Sequence, residues 1–182
     1  MPRIRRLTAA ALAGTLLLAT AGCTAASPGA SPSPSASAVP AGILALASTY
    51  PATFTTATAT KETQRLADAV QALFDKSTIL NVDDHQAVVP ATSDAPAYFG
   101  IIRAISVDQK VDPIALANTI ASLLRSAGWS ELKVSDDTNS YSIALSSDGN
   151  SAHAWLLILT GDATVAAQPV VTVQLASPDL PS

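Results

Sequence analysis

A chain of 182 residues fits one domain of ordinary size, and a net charge of −4 with a single cysteine narrows its class further. One cysteine excludes an intramolecular disulfide framework and any metal site built from several thiolates. An acidic balance argues against a nucleic-acid surface, which needs clustered Lys and Arg. Only 13% of residues are charged and 48% are hydrophobic, yet much of that hydrophobicity is alanine and one block sits at the N-terminus.

Arg3, Arg5 and Arg6 form a basic head, Leu7 to Ala21 an apolar run, and Thr20-Ala21-Gly22-Cys23 a small-residue exit. These are the three parts of a secretory signal. The run is too short to span a bilayer core, which takes about 20 apolar residues. The only cysteine follows directly on Ala21-Gly22. This resembles the lipobox of bacterial lipoproteins, with Thr20 where Leu is commonest. The resemblance covers residues 1–23. It implies cleavage before Cys23, acylation of its thiol, and an extracytoplasmic protein held to the cell membrane through Cys23. Loss of residues 1–22 removes three arginines, so 7 Lys and Arg face 14 Asp and Glu, a side-chain balance of −7.

Residues 23–42 comprise the lipidated cysteine and a tether, with prolines at 28, 32, 34 and 40 among serines and alanines. Such composition cannot bury a core; it would reach roughly 55 Å as a polyproline helix or about 25 Å as a coil. Its Ser, Thr and Pro density permits O-glycosylation. Ile43, Leu44 and Leu46 bring back apolar bulk, so one globular domain is expected over residues 43–178, with a tail at 179–182.

Within that domain Leu66, Ala69, Val70, Leu73 and Phe74 make one apolar stripe, predicting a helix over 61–77. A second helix is punctuated at both ends. Asp112 can cap it, Pro113 suits its first position, and Gly128 suits the left-handed position past its end. Trp129 then falls where a C-terminal capping motif lays it onto Leu124.

The remaining segments read as strands. They are Tyr98 to Val107, Leu132 and Val134 alternating with polar neighbours, Tyr141 to Leu145, the continuous apolar run Ala154 to Leu159, and Val170 to Ala176. The expected fold is α+β, with an antiparallel sheet of about four to five strands and two helices packed on one face. Leu132, Val134, Tyr141, Ile143, Leu145, Val171, Val173 and Leu175 are expected on the buried face. Because Trp155 to Leu159 is apolar throughout, it must also place bulk on the opposite face. Either the Thr-rich segment 50–60 covers that ridge, or Trp155, Leu157 and Leu159 form a candidate interaction surface.

Motifs for chemistry are sparse. The glycines are scattered, with no Gly-Lys-Ser/Thr phosphate loop and no Gly-x-Ser-x-Gly elbow. His85 and His153 are the only histidines; His153 reads as a strand-end residue and Asp83-Asp84-His85 as a solvated turn after the first helix. Three consecutive residues seldom converge on one ion. Asp136-Asp137-Thr138-Asn139 and Asp148-Gly149-Asn150 lack the spacing of a calcium loop and read as turns. No spacing singles out two carboxylates as a hydrolytic pair. No catalytic residue, cofactor or metal ligand is therefore assigned.

The anchor, the tether and the Ala/Thr-rich domain resemble the small lipoproteins of high-GC Gram-positive bacteria. The ending Val171-Thr172-Val173-Gln174-Leu175-Ala176-Ser177-Pro178 is similar to tails of their uncharacterised LppA-like group. The resemblance implies location and no activity. The expectation is a non-enzymatic binding or envelope-accessory module with an envelope protein as partner. The alternatives are a carrier of a small apolar ligand between sheet and helices, and a cell-wall hydrolase.

Overall fold

The computed structural model describes residues 41–149, 151–164 and 167–181. The signal, Cys23 and the tether up to Pro40 lie outside these residues, as does Asn150 of the Asp148-Gly149-Asn150 turn. The elements run α1 (Ala41–Leu44), α2 (Thr56–Gln71), β1 (Ile79–Val89), β2 (Tyr98–Val107), α3 (Pro113–Ser126), β3 (Ser130–Asp137), β4 (Ser140–Ser146), β5 (Leu156–Asp162) and β6 (Val170–Ala176). The fold is α+β, as expected. The sheet is antiparallel with six strands in the order β1-β2-β6-β5-β4-β3, one more than the sequence suggested.

The additional strand is β1, and it corrects the reading of Asp83-Asp84-His85 as a turn. These residues pair with Ala104, Arg103 and Ile102 of β2. β1 is an edge strand, exposed along most of its length, so its polar side chains show no apolar alternation.

Helix α2 begins and ends earlier than its apolar stripe implied, spanning 56–71 rather than 61–77. Thr55 and Thr58 form a reciprocal capping box: the Thr58 N–H donates to Thr55 Oγ1 at 3.2 Å, and the Thr55 N–H to Thr58 Oγ1 at 2.9 Å. The Thr-rich segment thus opens a helix instead of covering the second face of the sheet. Helix α3 is punctuated as its sequence indicates. Asp112 Oδ1 accepts from the N–H groups of Ile114 and Ala115, and Gly128 sits at φ 98°. The Trp129 N–H reaches Leu124 O and the Gly128 N–H reaches Arg125 O, which completes a Schellman cap.

Both helices pack on one face of the sheet. The core between the layers joins Leu66, Val70, Ile120 and Leu124 to Ile101, Ile143, Leu145, Trp155, Leu157, Leu159 and Val173. Two indoles are anchored there by hydrogen bonds. Trp155 Nε1 donates to Thr63 Oγ1 at 3.0 Å, and Trp129 Nε1 donates to Leu46 O at 2.8 Å. At the β1 edge the packing turns polar. Arg103, almost fully buried, donates through Nη1 to Asp68 Oδ1 (2.9 Å) and Gln71 Oε1 (2.8 Å), and through Nε and Nη2 to Asp84 Oδ2 (3.1 and 2.5 Å). Burial opposes its charge, but the bonds to Asp84 and Asp68 outweigh it and the guanidinium pKa is raised.

Gly161 marks a close approach of β5 to α3. A Cβ built there would lie 2.2 Å from Pro113 O and 2.7 Å from Pro113 C. Only a hydrogen at this position lets the first turn of α3 rest on β5.

Candidate functional site on the open sheet face

Register decides which side chains face away from the helices. Residues 142, 144 and 146 of β4, 156, 158 and 160 of β5, 172, 174 and 176 of β6, and 100, 102 and 104 of β2 share that face through direct pairing. It follows that Trp155, Leu157 and Leu159, the candidate interaction strip, point the other way and are 0% exposed. The apolar ridge that the continuous run demanded is built instead by Leu156 and Ile158, at 47% and 39% exposure. A run apolar at every position carries no phase of its own. Pairing of Leu157 with Leu145 and Leu175 supplies it.

Two further expectations for the buried face also shift. Val134 pairs with Ile143 but lies on the outer strand and stays 40% exposed. A β-bulge between Glu131 and Lys133 takes Leu132 out of the alternation, and it lines a hollow with Leu156 on the open face.

The larger hollow, about 470 Å³, lies over β1, β2, β6 and β5. One cross-strand row, Ala87–Gly100–Ala176, is made of small residues and ends at Leu156. The row beside it is His85–Ile102–Gln174–Ile158. On the other side Tyr98 folds its ring over Gly100; a Cβ there would meet Tyr98 Cε2 at 3.3 Å. A second hollow, about 310 Å³, lies beyond Leu156, which lines both. Towards the opposite end of the sheet the same face turns hydroxylic, with Thr172, Thr160 and Ser142 in one row; Ser142 Oγ and Thr160 Oγ1 are 3.1 Å apart.

The titratable residues singled out in the sequence are dispersed. His85 lines the larger hollow, its Nε2 3.5 Å from Asp83 Oδ1. His153 is exposed and stacks on Tyr50 with ring centroids 4.1 Å apart, beside Phe54 and Trp155. The sequence thus brings the two imidazoles to different faces of the domain. Asp136 and Asp137 belong to β3, and Thr138-Asn139 forms the turn to β4. Among the described residues no group of three or more His, Cys, Asp or Glu is placed to hold a metal ion, and no helix is long and apolar enough to cross a bilayer.

The sequence did not reveal the hollow. Its floor depends on pairing Gly100 with Ala176, and no local pattern foretells that contact. Comparison with known proteins finds no matching family model, no matching curated protein and no matching solved structure.

Proposed function

We propose that this protein is a lipid-anchored, extracytoplasmic binding or envelope-accessory module, without catalytic activity, that presents the open face of its sheet. One observation carries the reading. Ile102, Leu156 and Ile158 remain substantially exposed around a concave surface, while the opposite face of the same sheet is covered by α2 and α3. Apolar side chains grouped about a hollow are what a ligand or partner surface requires. The lipobox-like segment ending in Cys23 supports an anchor at the outer face of the cell membrane. A partner protein of the envelope would meet the same surface as a smaller ligand.

The test is site-specific photo-crosslinking in intact membranes. A probe replacing Ile102 is expected to give discrete adducts, while one at the exposed Ser122 of α3 gives none. Adducts from Ser122 alone, or from neither position, would overturn the reading. Metabolic labelling with an alkyne-bearing fatty acid is expected to mark the protein and to be lost in Cys23→Ser; absence of label, or label that persists in the variant, would remove the anchor.

A further inference from the structure

We propose that the larger hollow binds one molecule of a neutral, single-chain lipid, an alkyl chain bearing an uncharged ester or hydroxyl head. The inference rests on the reading of the open face as the binding surface and names what that surface takes.

Its shape selects a chain. Rows two residues apart along a strand are about 6.7 Å apart, so one row of small side chains between two rows of large ones leaves a furrow the width of a single aliphatic chain. Ile102 and Ile158 form one bank, the Tyr98 ring folded over Gly100 closes the β2 end, and Leu156 closes the β5 end. Between the Tyr98 ring on β2 and Leu156 on β5 the furrow crosses two strand spacings, about 10 Å.

Its charge selects a neutral head. His85 is the only titratable side chain of the lining apart from the Tyr98 phenol. Among the described residues the lining holds no Lys or Arg, and His85 already faces Asp83 at 3.5 Å, so a carboxylate or phosphate head finds no cation of its own. Gln174 and Tyr98 line the hollow, and their amide and hydroxyl groups are donors of the kind an ester or hydroxyl oxygen accepts from. The hydroxylic rows of Thr172, Thr160 and Ser142 confine the apolar area to one end of the sheet. That is unlike a sheet-on-sheet dimer, which buries about 800 Å² on each partner.

The experiment uses the full-length chain carrying Cys23→Ser, so that no lipid is attached covalently. It is titrated with monooctanoyl-, monodecanoyl- and monododecanoylglycerol below their self-association thresholds and read by methyl NMR. Saturable one-to-one shifts are expected at Ile102 and Ile158. Affinity should rise about tenfold for each added pair of methylenes until the chain outgrows the furrow. Decanoate, with the same chain and an anionic head, should bind at least tenfold more weakly. Ala176→Phe, which fills the furrow from its floor, should weaken binding at least tenfold, and Ser142→Phe on the same face less than twofold. Non-saturating shifts, decanoate binding as tightly as its glycerol ester, or an indifferent and folded Ala176→Phe would each overturn the proposal. If Ala176→Phe does not fold, the shift map of the unsubstituted pocket decides alone. Crosslinks from Ile102 to a protein without any lipid response would overturn the lipid and leave the open face as a binding surface. Absence of both would overturn the two together.

Discussion

The Trp155 indole and the Thr63 hydroxyl, both 0% exposed, are joined by a hydrogen bond of 3.0 Å that ties the residue preceding β5 to the middle of α2. The Thr63 hydroxyl in turn donates to Ala59 O at 2.8 Å. The hydroxyl thus uses its one proton along the helix and a lone pair for the indole. Thr63→Val keeps the shape and removes the acceptor, stranding a buried N–H. The expected loss is about 1–3 kcal/mol in urea unfolding, with a shift in tryptophan emission. Thr63→Ser, which keeps the hydroxyl, should cost about 1 kcal/mol for its missing methyl. Equal losses from the two variants would show that the hydrogen bond contributes nothing.

Gly161→Ala sets a new carbon against the carbonyl of Pro113, and backbone on both sides must give way. Overpacking of this kind costs about 1–3 kcal/mol. Unfolding of the variant should begin at lower denaturant with an unchanged slope, because the surface exposed on unfolding is the same.

Arg103→Ala removes the cation that Asp84 and Asp68 share and opens a cavity under α2. The expected loss is about 3 kcal/mol. Arg103→Met, which refills the volume but leaves Asp84 and Asp68 without their cation, should recover only the packing share of the loss, because neutrality follows when both partners of an ion pair are replaced. A Met variant as unstable as the Ala variant would assign the effect to charge.

Tyr141 carries the alkaline limit. Burial raises its phenol pKa above the ordinary value of 10.0; Arg125 opposes the rise, and Glu131 and Asp136 add to it. The unfolded chain therefore loses this proton before the folded one does. Stability should fall as pH passes upward through the unfolded value of about 10 and level off only above the raised folded value. Against Tyr141→Phe measured in parallel, the difference between the two proteins should be constant below about pH 9 and narrow above it. A constant difference across the whole range would contradict the burial.

Much of this architecture is readable from local sequence. Asp112, Pro113 and Gly128 frame α3, and Trp129 completes its cap as their spacing implies. The alternation of Tyr141, Ile143 and Leu145, and of Val171, Val173 and Leu175, assigns their buried face. What escaped notice has physical causes. Asn81 to Gln86 hide β1 because an edge strand needs no apolar alternation, and here its inward side chains Asp84 and Gln86 meet Arg103 and Gln64. Thr55 to Thr60 hide the start of α2 because threonine has low helix propensity, and the capping box overrides it locally. The exposed strip, Leu156 and Ile158, lies one residue out of step with Trp155, Leu157 and Leu159 because a run apolar at every position carries no period. The hollow itself arises from residues 76 positions apart in the chain, Gly100 and Ala176.

The segment leading into α2 is hydrogen-bonded to the helical layer, while Tyr50 and Phe54 pack on His153 and Trp155 ahead of β5. Arg65 donates to Ala45 O and Ala47 O at 2.6 and 2.7 Å, the Thr49 N–H donates to Glu62 Oε1 at 2.8 Å, and Trp129 holds Leu46 O. Tension applied to the chain ahead of Ala41 is therefore borne in shear by α2 and the end of α3. None of these hydrogen bonds reaches a residue that lines the hollow, so a pull from the N-terminal side is met first on the helical side of the sheet and not at its open face.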